Sequence, residues 1–345
     1  MPPAPLALLI VVLTALVGCR PSSAPAAGAV PEAARSAAQT AAEATPPPTR
    51  LTIGHSALSA VWAPLWVAQD AGLFQREGLE VDIRDIGNGP ITLAALASGE
   101  AQLAYTAGPS IVGGIVAGAD VVIVGGYLDR MPYELVARGD IQSIQDLRGQ
   151  TIAVNRIAGA TGFVVRYLLE HEGLDPDRDV NLLQLGAQGE RIAGLRSGLI
   201  AATLVSPPFQ TVARREGLRV LYDTAQLPLA YSHSVLAAPR AVVATQPDAV
   251  RAVLRATAEA VRQFKADQAL ATRVLAAHLQ VDDPELLQAT WAYWRGAFSD
   301  DLEPRGLAVI LKEALEEQQS RAGLTVDDLV DLRLVRELGS AAPRP

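Results

Sequence analysis

The sequence predicts an α/β protein built as two lobes, with a helical C-terminal segment. Three observations carry this. Short apolar runs alternate with helical periods from about residue 51 to 230, the pattern of βαβ units and largely parallel sheets. A faint internal echo recurs at an offset of 99 residues: Leu96-Ala97-Ser98-Gly99, a strand to Thr106 and Pro109 can be laid on Leu195-Arg196-Ser197-Gly198, a strand to Val205 and Pro208. Beyond about residue 246 the chain turns helical, with amphipathic stretches at 246–265, 268–279, 284–296, 304–320 and 325–337.

The elements follow in order. Residues 6–18 (LALLIVVLTALVG) are apolar except for Thr14, too short to span a bilayer and of the length of a signal-peptide core. Leu16-Val17-Gly18-Cys19 resembles the lipobox of bacterial lipoproteins, which implies cleavage before Cys19 and lipidation of its thiol; Cys19 is the one cysteine of the chain. The leading MPPAP departs from that pattern in having no Lys or Arg. Residues 19–50 are rich in Ala and Pro, and nine of the 23 prolines fall within residues 1–50. Such a segment cannot offset the entropy of ordering and is expected to be a tether. Strands are expected at 51–54, 79–83, 102–106, 121–126, 150–154, 180–185 and 200–205, with helices between them, the first from about Trp62 to Gln75.

Composition removes whole classes of function. The chain has 345 residues, half of them apolar, and 19% charged, which is the make-up of a folded protein with a large core. A net charge of −8 argues against a nucleic-acid partner. His55, His171, His233 and His278 have no metal-ligand spacing, and no metal or cofactor is expected. There is no GxSxG elbow, Walker A sequence or dinucleotide fingerprint. An enzyme is therefore not expected.

The chemistry available lies in the loops after strands. These are His55 to Trp62, Thr106 to Ser110, Arg156 to Gly162, Gly186 to Gly189 and Ser206 to Phe209. Helix starts offer free N–H groups and partial positive charge, and small residues let a ligand approach them. Each loop read alone is equally a tight connection with a capping hydroxyl. Trp62, Trp66, Tyr105, Tyr127 and Phe209 lie near strand ends, where aromatics can stack on a planar ligand. Trp66 follows Trp62 by one turn, so one of the two belongs to the core. Asp129, Arg130 and Arg156 are further candidates. The ligand expected is a small organic anion, sulfonate- or nitrate-like, or a heteroaromatic solute, with the lean toward the anion.

Residues 62–83 (WAPLWVAQDAGLFQREGLEVDI), 95–110 (ALASGEAQLAYTAGPS), 158–177 (AGATGFVVRYLLEHEGLDPD) and 197–209 (SGLIAATLVSPPF) resemble bacterial solute-binding proteins of ABC importers. The branch is the one serving nitrate, alkanesulfonates, taurine and thiamine-pyrimidine precursors, and the resemblance covers roughly residues 51–320. It implies a type II periplasmic-binding-protein-like fold with a ligand cleft between two lobes. Lobe one would be 51–137 plus 235–345 and lobe two 138–234, with hinges near Ala137–Asp140 and Tyr231–Ser234. Ligand contacts carried over by motif position are Ser56, Ser59, Trp62, Thr106, Gly108, Ser110, Gly159, Ala160, Thr161, Gly162, Gln188 and Ser206; Tyr127 joins them as an aromatic near a strand end. The implied partners are a small-molecule solute, the ABC permease, and a membrane held through the N-terminal lipid, with the chain a monomer outside the cytoplasm. Two other readings share the fold: a ligand-sensing partner of a membrane receptor, and an enzyme like the thiamine-pyrimidine synthases. The second needs a Cys-rich motif, and the folded part has no cysteine.

Overall fold

Runs rich in Val, Ile and Leu form ten strands among the described residues, and glycines at positive φ end several of the helices between them. The computed structural model describes residues 47–56, 59–87, 89–157, 159–318 and 323–340. The expected signal segment, the Cys19 lipid site and most of the tether lie outside the described residues.

The chain begins with β1 (Thr49–Ser56), α1 (Ala63–Asp70), α2 (Leu73–Arg76), β2 (Leu79–Gly87), α3 (Gly89–Ser98), β3 (Leu103–Ala107), α4 (Gly108–Val116) and β4 (Val121–Leu128). The helix expected to run to Gln75 is broken after α1, where Gly72 takes φ +67°. Then come β5 (Glu134–Ala137), β6 (Thr151–Val154), α5 (Ala160–His171), β7 (Asn181–Gln184), α6 (Gln188–Ser197), β8 (Ala202–Val205), α7 (Phe209–Arg215) and β9 (Arg219–Asp223). The remainder is β10 (Ser234–Pro239), α8 (Arg240–Thr245), α9 (Pro247–Ala266), α10 (Gln268–Leu279), α11 (Pro284–Ala297), α12 (Leu307–Glu317), α13 (Val326–Leu329) and α14 (Arg333–Ser340).

Two five-stranded sheets result, in the orders β2-β1-β3-β10-β4 and β7-β6-β8-β5-β9. They share one plan. The first three strands of each are parallel, and the fourth is antiparallel to both neighbours. That fourth strand arrives from the other lobe: β5 follows β4, and β10 follows β9. The internal echo falls on equivalent places. α3 and α6 both end at a serine whose hydroxyl donates back to a carbonyl at 3.2 Å, then at a glycine of φ +78° or +76°.

The lobe boundary differs from the expected 137/138. β5 pairs with β8 and β9, so residues 134–137 belong to the second lobe, and the first crossover is 129–133. No local pattern separates β5 from β4; its long-range partners do. The returning crossover runs beside the first, with Tyr231 N–H donating to Asp129 O (3.1 Å) and Thr224 N–H to Tyr133 O (2.9 Å).

The C-terminal helices cover the first sheet. α9 buries Val250, Val253, Leu254, Val261 and Phe264 at helical spacing, each contributing about 1.5–3 kcal/mol. Trp66, Phe74 and Trp294 are fully buried in the same core. The helix expected over 325–337 is two short ones, because Val330 leaves the helix to bridge Ile123 beside β4. No helix of the described residues is long and apolar enough to cross a membrane.

Candidate functional site at the carboxyl ends of the two sheets

Strand register places the site. β4 leaves the carboxyl end of the first sheet at Leu128, and β5 enters the second opposite Val205, the last residue of β8. Five residues connect them, spanning at most about 18 Å. The carboxyl ends of the parallel strands in both lobes therefore lie at the crossover, where α/β sheets bind ligands.

On the first lobe the expected residues form a knot. Thr106 Oγ1, fully buried, donates to Ser56 Oγ at 2.9 Å. Trp62 Nε1 donates to Ser56 O at 3.1 Å, and its ring lies 5.8 Å from His55. Ser59 caps the short turn 60–62 by accepting from Val61 N–H. Trp62 is 3% exposed, so it braces the strand end and does not offer an open face. Gly108 is set by close approach: a Cβ there would lie 2.1 Å from Ser232 O, and its N–H donates to His233 O at 3.2 Å. Ser110 lies against Gly89 at the start of α3.

Tyr127 is a correction. It is fully buried, with Tyr105 at 5.0 Å and Phe298 at 5.5 Å, and burial pushes its hydroxyl pKa well up. It is core, because β4 is buried along its whole length. Tyr105 is likewise buried and donates to Thr257 Oγ1 at 2.9 Å.

The second lobe brings its expected residues together. At α5, Phe163 N–H donates to Gly159 O, and among the described residues the N–H groups of Ala160, Thr161 and Gly162 have no helical partner. Thr161 Oγ1 accepts from Asn155 N–H at 3.1 Å. Gly162 has no room for a side chain, since a Cβ would lie 1.9 Å from Ile157 O. At α6, Gln188 and Ser206 pair reciprocally: Ser206 N–H donates to Gln188 Oε1 at 2.7 Å, and Gln188 Nε2 to Ser206 Oγ at 3.1 Å.

Arg191 joins these loops and was not among the sequence candidates. It is 2% exposed. Its guanidinium donates to Thr203 Oγ1 (3.0 Å), Leu185 O (3.1 Å), Leu204 O (3.2 Å) and Gly186 O. Gly186 O also accepts from Asn155 Nδ2 at 3.1 Å, which links Arg191 to the start of α5. Arg191 forms no ion pair among the described residues, and burial lowers its pKa. A helical Arg reads in sequence as a solvated face, so no local signal marks it.

The crossovers form the floor. Tyr133 Oη lies 2.8 Å from His233 Nε2. Burial lowers the His233 pKa to about 4 and raises that of Tyr133 to about 12. Neutral His233 and the phenol thus share one hydrogen bond, whose donor is set by the imidazole tautomer. Asp129, a sequence candidate, accepts at Oδ1 from Arg305 N–H (2.8 Å) and Ser232 Oγ (3.2 Å), while its buried Oδ2 has no partner among the described residues. Arg130 and Arg156 are exposed. No group of His, Cys, Asp or Glu among the described residues is arranged to hold a metal ion.

The NMT1/THI5-like family model matches residues 59–271. Among curated proteins, "Putative binding protein YtlA" of Bacillus subtilis (strain 168) is 31% identical over 140 residues, 39% of this chain and 42% of that protein's length. A protein of the same kind of description from Brucella abortus (strain 2308) is 27% identical over 226 residues, 64% of this chain and 68% of the other. Among solved structures, the periplasmic aliphatic sulphonate binding protein SsuA of Escherichia coli superposes with TM-score 0.71 at 20% identity, covering 84% of this chain and 99% of that one. At that identity the likeness establishes a shared fold, the periplasmic-binding-protein fold.

Proposed function

The chain belongs to the NMT1/THI5-like family, and from that membership and the cleft geometry we propose that it is the extracytoplasmic solute-binding lipoprotein of an ABC importer. Its solute is a small organic anion, captured between the lobes and delivered to the permease. Cys19 carries the lipid that holds the protein at the membrane.

The observation that carries the anion is Arg191. A buried cation that forms no ion pair is unfavourable unless something offsets its charge. Here the guanidinium sits behind the strand ends where the α5 N-terminus and the Gln188–Ser206 pair open. Free N–H groups, a helix dipole and a buried positive charge favour one kind of guest. Thr161 and Gln188 hold it on the second lobe; Ser56 and Thr106 stand at the facing strand ends of the first. A ligand that touches both lobes only when they are shut shifts the protein toward the closed state. The fold neighbours include a sulphonate-binding protein, which supports a tetrahedral anionic head.

A thermal-shift screen with alkanesulfonates, nitrate, aromatic carboxylates and aminopyrimidines tests this. A ligand at about 100 times its Kd adds about 2.7 kcal/mol, a rise of a few degrees. Anions alone raising the melting temperature is the expected result. A response confined to neutral heterocycles would remove the anion assignment.

A further inference from the structure

Hydrogen bonds assign each part of the two crossovers to one lobe. Tyr133 rides with the second lobe: its N–H donates to Thr224 Oγ1 at 3.2 Å, and its O accepts from Thr224 N–H at 2.9 Å, just past β9. His233 rides with the first lobe: its N–H donates to Leu128 O at 2.9 Å, and its O accepts from Gly108 N–H at the start of α4. Asp129 and Ser232 are bonded to Arg305, just before α12, which packs on α4. The chain is then left to turn at about Arg130 on the way out and within residues 225–230 on the way back. Hinges of this kind are a few residues that absorb the backbone change. One side-chain hydrogen bond crosses the pivot. Tyr133 Oη lies 2.8 Å from His233 Nε2, with the rings 5.5 Å apart, and both side chains are half-buried. Phe163 of α5 also meets Tyr231 across it, stacked at 5.1 Å. Stacked rings can slide past each other, whereas a hydrogen bond weakens steeply once its angle is lost.

We propose that the Tyr133–His233 bond is a closure latch, which holds the two lobes in their shut arrangement and so sets the affinity for every guest of the cleft. This rests on the capture reading above and concerns how the lobes close, not which solute they take. The arrangement that makes the bond is also the one in which Arg215 of α7 reaches Asp283 beside the first lobe, so the lobes are bridged at two separate places. A guest that binds the shut state has an apparent Kd equal to its intrinsic Kd divided by the shut fraction. A bond made only in the shut state raises that fraction by about two- to tenfold for a hydrogen bond of ordinary strength. Tyr133 and His233 are thus positioning residues. Loss of the latch multiplies the Kd of all guests by one factor, whereas loss of a direct contact to the solute depends on the solute's chemistry.

Three substitutions in the whole protein test the latch. Tyr133→Phe and His233→Leu remove the bond, and His233→Gln keeps an amide that can give or take it. Two probes of different shape, 1-butanesulfonate and benzoate, are titrated by calorimetry, and small-angle scattering without a probe reads the lobes directly. Tyr133→Phe is expected to raise the Kd of both probes by the same factor, about two- to tenfold. The double variant Tyr133→Phe/His233→Leu is expected to lose no more than either single one, and His233→Gln to stay near wild type. The radius of gyration is expected to be larger in Tyr133→Phe than in wild type. Circular-dichroism melts check folding, and Tyr133→Phe, which removes one oxygen atom, decides if the His233 variants do not fold. Equal radii, unchanged Kd values, or a change confined to one probe overturns the latch. Where a probe does not bind wild type, the scattering comparison decides the latch, and failure of both probes overturns the anion reading alone.

Discussion

Arg215, at the end of α7 in the second lobe, pairs with Asp283, the cap of α11 beside the first. The same guanidinium reaches Glu285 Oε2 at 3.0 Å. Asp283 also accepts from Leu286 N–H at 3.0 Å, and with Arg215 this pushes its pKa down to about 2. The pair is solvent-exposed and screened, so its part in stability is small. Its position across the lobes matters more.

Arg215→Ala should therefore shift the lobe equilibrium and leave the melting temperature nearly unchanged. Small-angle scattering on the ligand-free protein is expected to show a larger radius of gyration than wild type. An unchanged radius would show that the pair does not restrain the lobes.

A sharper cost falls on Gly108. Its missing Cβ makes room for Ser232 O, whereas Gly139 has nothing within 4 Å. Gly108→Ala is expected to destabilise by about 1–3 kcal/mol through overpacking at the crossover. Gly139→Ala, as a control, is expected to fall within about 0.5 kcal/mol of wild type. Urea melts of the two variants measure the difference.

The pH dependence centres on Glu313 of α12. Burial, then the neighbouring Glu317 and Glu316, raise its pKa to about 8. The folded protein thus holds this proton more tightly than the unfolded chain. The stability linked to it is full below about pH 4.5 and is lost as pH rises through about 8. Glu313→Gln should melt close to wild type at pH 5 and above it at pH 9. Parallel melting curves at both pH values would contradict this.

Much of the fold was legible because βαβ units announce themselves locally. The apolar run in β4, the Ser-Gly helix ends after α3 and α6, and the amphipathic spacing of α9 all carry their structure in adjacent residues. β5, β9 and β10 did not. Two of them are the antiparallel crossover strands, and their lobe is fixed by partners far along the chain: Glu134 pairs with Val205, and Val235 with Thr106. The same holds for the site. Thr161, Gln188 and Ser206 stand out as candidates because loops after strands are visible in sequence. The burial of Arg191 does not, since burial of a charge is a tertiary fact. Tyr127 failed in reverse: proximity to a strand end does not say which way a side chain faces.

The most direct test of the account is a calorimetric titration of wild type and Thr161→Asp with the anion selected by the thermal screen. Aspartate can still accept from Asn155 N–H, as Thr161 Oγ1 does at 3.1 Å, so the loop keeps its bond while a negative charge faces the α5 N-terminus. Binding to wild type with a loss of about tenfold or more in Thr161→Asp is the predicted result. Equal affinity for the two proteins would contradict the placement of an anion between these lobes.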